Sequence, residues 1–122
     1  MKEKPAYFLY VLELENGALY TGITRDVAAR YRRHQRGTGA ACTRSFAPVR
    51  IVGCWEVSGG RGPAMSVEAF VKGRTRAGKL RLLAEPQLLS RQYGEHSSPS
   101  AKGGRPRIVP VAWPAGPTGC TP

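Results

Sequence analysis

Two apolar runs separated by Glu15-Asn16-Gly17 constrain this chain more than any other feature. Asn-Gly tolerates positive φ at both positions and is the strongest short signal of a hairpin. The flanking runs, residues 6–14 and 18–24, are rich in aromatic, β-branched and large aliphatic side chains, as strands are. The spacing therefore predicts a β-hairpin. Side chains alternate across a strand. Phe8, Tyr10, Leu12 and Leu14 then share one face of the first strand, and Ala18, Tyr20, Gly22 and Thr24 one face of the second.

A helix is expected next, over 27–35, capped by Thr24 or Asp26 and ended by Gly37. Val27, Ala28 and Tyr31 make its apolar stripe, and Arg32 and Arg36 point to solvent. Arg30 and His34 share a face at the edge of that stripe. A side chain there is held by packing and still reaches a ligand. Residues 37–48 read as a loop without a nucleotide fingerprint. A third strand over 49–57 is broken by the glycines and proline of 58–63. Helix 64–76 follows, with Val67, Phe70, Val71 and Arg74 on one side and Glu68 at the margin. Gly78 ends it, and a short third helix over 79–89 is perturbed by Pro86. Beyond residue 90 the density of Pro, Gly and Ser sustains neither helix nor central strand; Pro110 interrupts the apolar run 108–113. The expected organisation is a folded domain over 1–90 and a disordered basic tail over 91–122.

The chain has 122 residues, with 19 Lys plus Arg against 8 Asp plus Glu, a net charge of +11. One modest core fits that length and two do not. No apolar run approaches the roughly 20 residues that span a bilayer, and the run 6–12 stops at Glu13 with no cleavage site after it, unlike a secretory signal. So large a positive excess favours polyanions, nucleic acid first and an anionic membrane surface second. Arg91, Lys102, Arg105 and Arg107 face Glu95 in the tail, so most of the excess belongs to the body. Cys42, Cys54 and Cys120 are unevenly spaced, and His34 and His96 are far apart. That is neither a zinc spacing nor a disulfide framework, and it suits free thiols in a reducing cytoplasm.

The chemistry-bearing residues fall in a fixed order: Tyr10-Val11-Leu12, Tyr20-Thr21-Gly22, Arg30 with His34, Thr43-Arg44 with Pro48, and Glu68 with Lys72. With this hairpin and these intervals, residues 6–85 resemble the GIY-YIG nuclease superfamily. They look most like its small stand-alone bacterial (YhbQ-like) branch, which is related to structure-specific flap and junction endonucleases. The resemblance implies an α+β domain, a three-stranded antiparallel sheet flanked by helices. It also implies a divalent-metal-dependent endonuclease that hydrolyses phosphodiester bonds in DNA, structure-selective and linked to repair or recombination.

Phosphodiester hydrolysis needs an activated water, neutralised phosphoryl oxygens and help for the leaving oxygen. Carried over residue by residue, Glu68 matches the family's metal-binding glutamate, and a hard carboxylate suits Mg²⁺ or Mn²⁺. Tyr10 and Tyr20 match the tyrosines that position or activate the water. Arg30 matches the arginine that neutralises the scissile phosphate, and His34 a proton relay or phosphate contact. Gly22 lets the backbone come close. Arg33, Thr43, Arg44 and Lys72 are expected at the nucleic-acid backbone. No small-molecule cofactor is implied.

Read singly, each residue has a plainer role. Tyr10 and Tyr20 are cross-strand core aromatics, Arg30 and His34 surface groups, and Glu68 with Lys72 an exposed ion pair worth about a few tenths of a kcal/mol. Thr21 stands where the family usually has Ile, and Asn16 is the sole asparagine, which the homing-endonuclease branch does not match. The rival function is a non-catalytic nucleic-acid-binding module on the same fold. A weaker third is a membrane-surface protein driven by the tail.

Overall fold

The computed structural model describes residues 5–39, 41–96 and 106–112. The hairpin forms around residues 15–17, closed by the Leu14 N–H donating to the Ala18 carbonyl and the Gly17 N–H to the Leu14 carbonyl. Strand β1 (Tyr7–Leu14) pairs antiparallel with β2 (Leu19–Thr24), with Tyr10 opposite Gly22 and Leu12 opposite Tyr20. Gly17 takes a φ of 85°, and Asn16 Oδ1 accepts from the Ala18 N–H at 3.1 Å. The other side of β1 pairs antiparallel with β3 (Pro48–Val57), and the register shifts between Val11 and Leu12. The extra residue there, Val52, lies on β3, and it is β3 that such a shift bends.

The sheet has four strands in the order β2-β1-β3-β4, where three were expected. Strand β4 (Ile108–Pro110) pairs with Trp55, Glu56 and Val57 of β3. Proline lacks the N–H of a central strand, but an edge strand tolerates it. Part of the segment assigned to the tail therefore completes the sheet. Residues 97–105 and 113–122, where the rest of that tail lies, are outside the described residues.

Helix α1 (Val27–Gln35) has the expected bounds, and Asp26 caps it by accepting from the Ala29 N–H at 3.0 Å. The expected loop contains a short helix, α2 (Ala41–Ser45). Helix α3 (Arg61–Lys72) starts earlier than expected, because Pro63 falls in a first turn that requires no N–H from it. Helix α4 (Arg76–Ala84) is capped by Thr75. Gly78 donates to that cap at 3.0 Å rather than ending a helix. The expected third helix is two, since Glu85 and Pro86 separate α4 from α5 (Leu88–His96), which runs through the expected domain boundary.

Alternate residues of β1 feed two cores. Leu9 and Val11 join Trp55, Val57, Ala64, Val67, Val71, Leu82 and Leu89 beneath α3, α4 and α5. Tyr10, Leu12 and Leu14 join Val27 and Cys54 beneath α1. Trp55 Nε1 donates to the Pro86 carbonyl at 2.8 Å, tying β3 to the α4–α5 junction. Among the described residues no helix is long and apolar enough to cross a membrane.

Candidate active site

Strand alternation and hairpin register put Tyr10 and Tyr20 side by side on the α1 face, their ring centroids 6.3 Å apart. Helix α1 adds His34. Its ring is 5.9 Å from that of Tyr10 and stands edge-on to Tyr20 at 5.2 Å. Tyr10 Oη lies 2.9 Å from His34 Nε2, and His34 Nδ1 lies 2.8 Å from Thr43 Oγ1 on α2. Three elements thus meet in a hydrogen-bonded row: phenol, imidazole, hydroxyl. Tyr10 and Thr43 are each 2% exposed and His34 1%.

Two glycines make this packing possible. A Cβ on Gly22 would sit 2.6 Å from Tyr10 Oη, and one on Gly39 would collide with His34 Nδ1. The second tyrosine motif therefore carries glycine because the first motif's phenol occupies the space. Gly39 closes the loop after α1 against the imidazole.

Burial determines the protonation of the row. It raises the Tyr10 pKa above the ordinary tyrosine value. The Tyr20 phenol and the Glu68 carboxylate add to the rise, and the Arg30 guanidinium opposes it. Burial also lowers the His34 pKa, helped by the positive charges of Arg30 and Arg33. Tyr10 is thereby held as a neutral phenol and His34 as a neutral imidazole near pH 7. A neutral imidazole has one donor and one acceptor nitrogen, so a proton can pass along the row. Cys54 is not a rival nucleophile: burial, then the charge of Glu56, pushes its thiol up to about 12.

Glu68 approaches from the other layer. Its helix, α3, buries Val67 and Val71 in the apolar core and lies against β1 and the edge strand β2. The Glu68 side chain is 20% exposed and its Oε2 lies 3.2 Å from Lys72 Nζ. Its charge and that of Arg30, which is half-buried on α1, both act on the Tyr10 phenol. Charge thus couples Tyr10 to Tyr20, Arg30 and Glu68, and His34 to Arg30, while ring contacts and hydrogen bonds join Tyr10, Tyr20, His34 and Thr43.

The expected backbone contacts divide. Arg33 and Arg44 are exposed, as a phosphate contact requires, and Arg33 donates weakly to the Thr38 carbonyl at 3.5 Å. Lys72 is exposed beside Glu68. Thr43 is buried against His34, and His34 is interior rather than a surface histidine. No sequence periodicity points to the Thr43–His34 contact or the Gly39 approach. Both come from a non-periodic loop, and the glycines of residues 37–39 were the one available signal.

Among the described residues no three His, Cys, Asp or Glu side chains gather as a metal cage. A Mg²⁺ site does not demand one, since that ion keeps several waters and takes one or two carboxylates. Glu68, partly exposed and electrostatically coupled to the phenol, fits such a role.

Comparison with known proteins gives this arrangement its relatives. Residues 6–81 match the family model of the GIY-YIG catalytic domain. A UPF0213 protein of Streptococcus sanguinis is 46% identical over 83 residues, covering 68% of this chain and 93% of the relative. The UPF0213 protein YhbQ of Salmonella typhimurium is 35% identical over 96 residues, 79% and 95% of the two chains. The solution NMR structure of a UPF0213 protein from Bacillus halodurans is 33% identical, covers 71% of this chain and 95% of its own, and superposes with a TM-score of 0.43. The chain belongs to the GIY-YIG family, whose domain is of nuclease type, and within it to the stand-alone UPF0213 group.

Proposed function

We propose that this protein is a divalent-metal-dependent endonuclease that hydrolyses DNA, selective for branched or flapped structure rather than base sequence, and serving repair or recombination in the cytoplasm. The observation that carries the reading is the 2.9 Å contact between a buried phenol and a buried imidazole, within reach of the charges of Arg30 and Glu68. Water attacks phosphorus, one P–O bond forms, and the bond to the leaving sugar oxygen breaks. Tyr10 Oη takes the proton of the attacking water as its own phenolic proton passes to His34 Nε2. The leaving oxygen takes a proton from solvent. Tyr20 orients the water, and Arg30 neutralises the phosphate. Glu68 would hold Mg²⁺ or Mn²⁺, which would withdraw charge from the phosphoryl oxygens. Arg33, Arg44 and Lys72 track the backbone, a sequence-independent contact suited to structural selectivity.

Cleavage of flapped, branched and linear DNA with Mg²⁺ or Mn²⁺ tests the reading, comparing the wild-type chain with Glu68→Ala. The wild type cuts the branched substrates faster, the variant loses roughly 10²-fold or more, and EDTA stops both. Equal rates in wild type and variant assign the cutting to a contaminant. Salt-sensitive binding in EDTA with no product in metal would make the protein a nucleic-acid-binding module.

A further inference from the structure

His34 lies between two hydroxyls, Tyr10 Oη at Nε2 and Thr43 Oγ1 at Nδ1. Either hydroxyl can donate or accept, so the neutral ring has two self-consistent arrangements. Only one serves a proton path from Tyr10: Nε2 must carry the lone pair, and Nδ1 the hydrogen. The ring cannot choose by turning over. Gly39 closes on its Nδ1 edge and Tyr20 packs edge-on against it. Thr43 was expected at a nucleic-acid phosphate, yet it is 2% exposed and its hydroxyl faces the imidazole.

We infer that Thr43 is a positioning residue: its Oγ1 accepts the His34 Nδ1–H and so keeps the Nε2 lone pair aimed at the Tyr10 hydroxyl. A phenol is a stronger acid than an aliphatic alcohol. The pairing of phenol O–H with ring lone pair is therefore the stronger of the two choices, and a hydroxyl that accepts at Nδ1 completes it. Helix α2 delivers that hydroxyl. The inference rests on the reading of Tyr10 and His34 as a proton path, but its first test does not need cleavage.

Long-range ¹H–¹⁵N correlation on the full chain reads the His34 tautomer directly. The wild type and Thr43→Ser are expected in the Nδ1–H form, and Thr43→Val in the Nε2–H form or a mixture. A wild type in the Nε2–H form, or a Thr43→Val tautomer identical to wild type, overturns the inference whether or not the protein cuts DNA. In the cleavage assay Thr43→Val is expected to lower kcat roughly tenfold or more, part of the ~10²–10⁴ that acid–base help supplies. KM should stay within about twofold, as for an interaction absent from substrate binding, and Thr43→Ser should restore kcat. An unchanged kcat in Thr43→Val, or a loss that Thr43→Ser shares, also overturns it.

Discussion

The two faces of strand β1 are built from neighbouring residues and do opposite work. Leu9 and Val11 enter an apolar core with Trp55, Val57, Val67 and Leu89. Tyr10, between them, enters a layer where its hydroxyl meets His34 and, through it, Thr43. The apolar face gains stability from burial, at about 25 cal/mol per Å² removed from water. The other face buries polar groups, which is tolerable only because each finds a partner. A domain of this size can thus hold a titratable row at near-zero exposure, because the opposite layer stabilises the sheet that presents it.

Substitutions at adjacent residues of β1 separate the two faces. Tyr10→Phe should lower DNA cleavage by roughly 10²–10⁴ while changing stability by about 1 kcal/mol. Leu9→Ala should do the reverse, costing about 2–5 kcal/mol with the residual folded protein still cutting. Urea unfolding beside single-turnover cleavage separates the two, and equal profiles for both variants would erase the distinction between faces.

A smaller effect comes from the lowered pKa of His34. Below its unfolded value near 6.5 the unfolded chain takes up a proton that the folded ring refuses, so the unfolded state binds more protons. Stability then falls as pH drops from about 6.5 towards the folded pKa and levels off beneath it. The slope reaches at most about 1 kcal/mol per pH unit. Urea midpoints across that window should show it, and His34→Gln should flatten it.

How much of this was legible in the sequence follows from which forces act locally. The Asn16-Gly17 turn and the two-residue period set the hairpin, and with it the pairing of Tyr10 with Gly22. The α1 cap and Gly37 set that helix. Strand β4 was not legible, because three residues including Pro110 carry no period and owe their form to the edge of β3. Helix α2 and the Thr43–His34 bond were hidden for a related reason. They join loop to helix, and no repeat encodes that contact. That Glu68 serves the same site as Tyr10 is implied by the family resemblance alone, since their elements pack on different cores.

The smallest predicted effect concerns the one polar intruder on the apolar side of β2. Thr21, opposite Val11, is buried, and its Oγ1 has no hydrogen-bond partner among the described residues. Thr21→Val keeps the shape and removes the desolvated hydroxyl, and should stabilise the protein by about 1 kcal/mol in urea unfolding. A loss of stability would mean that this hydroxyl is satisfied.

In the proposed mechanism a carboxylate from one layer and two phenols from the other serve a single cation. Adding Mn²⁺ to the labelled protein and following paramagnetic broadening by NMR tests that most directly. Signals of Glu68, Tyr10, Tyr20 and the Arg30 side chain should broaden together at the lowest Mn²⁺, and Glu68→Gln should abolish the effect. Broadening confined to α3, or scattered over the surface and indifferent to Glu68→Gln, would contradict it.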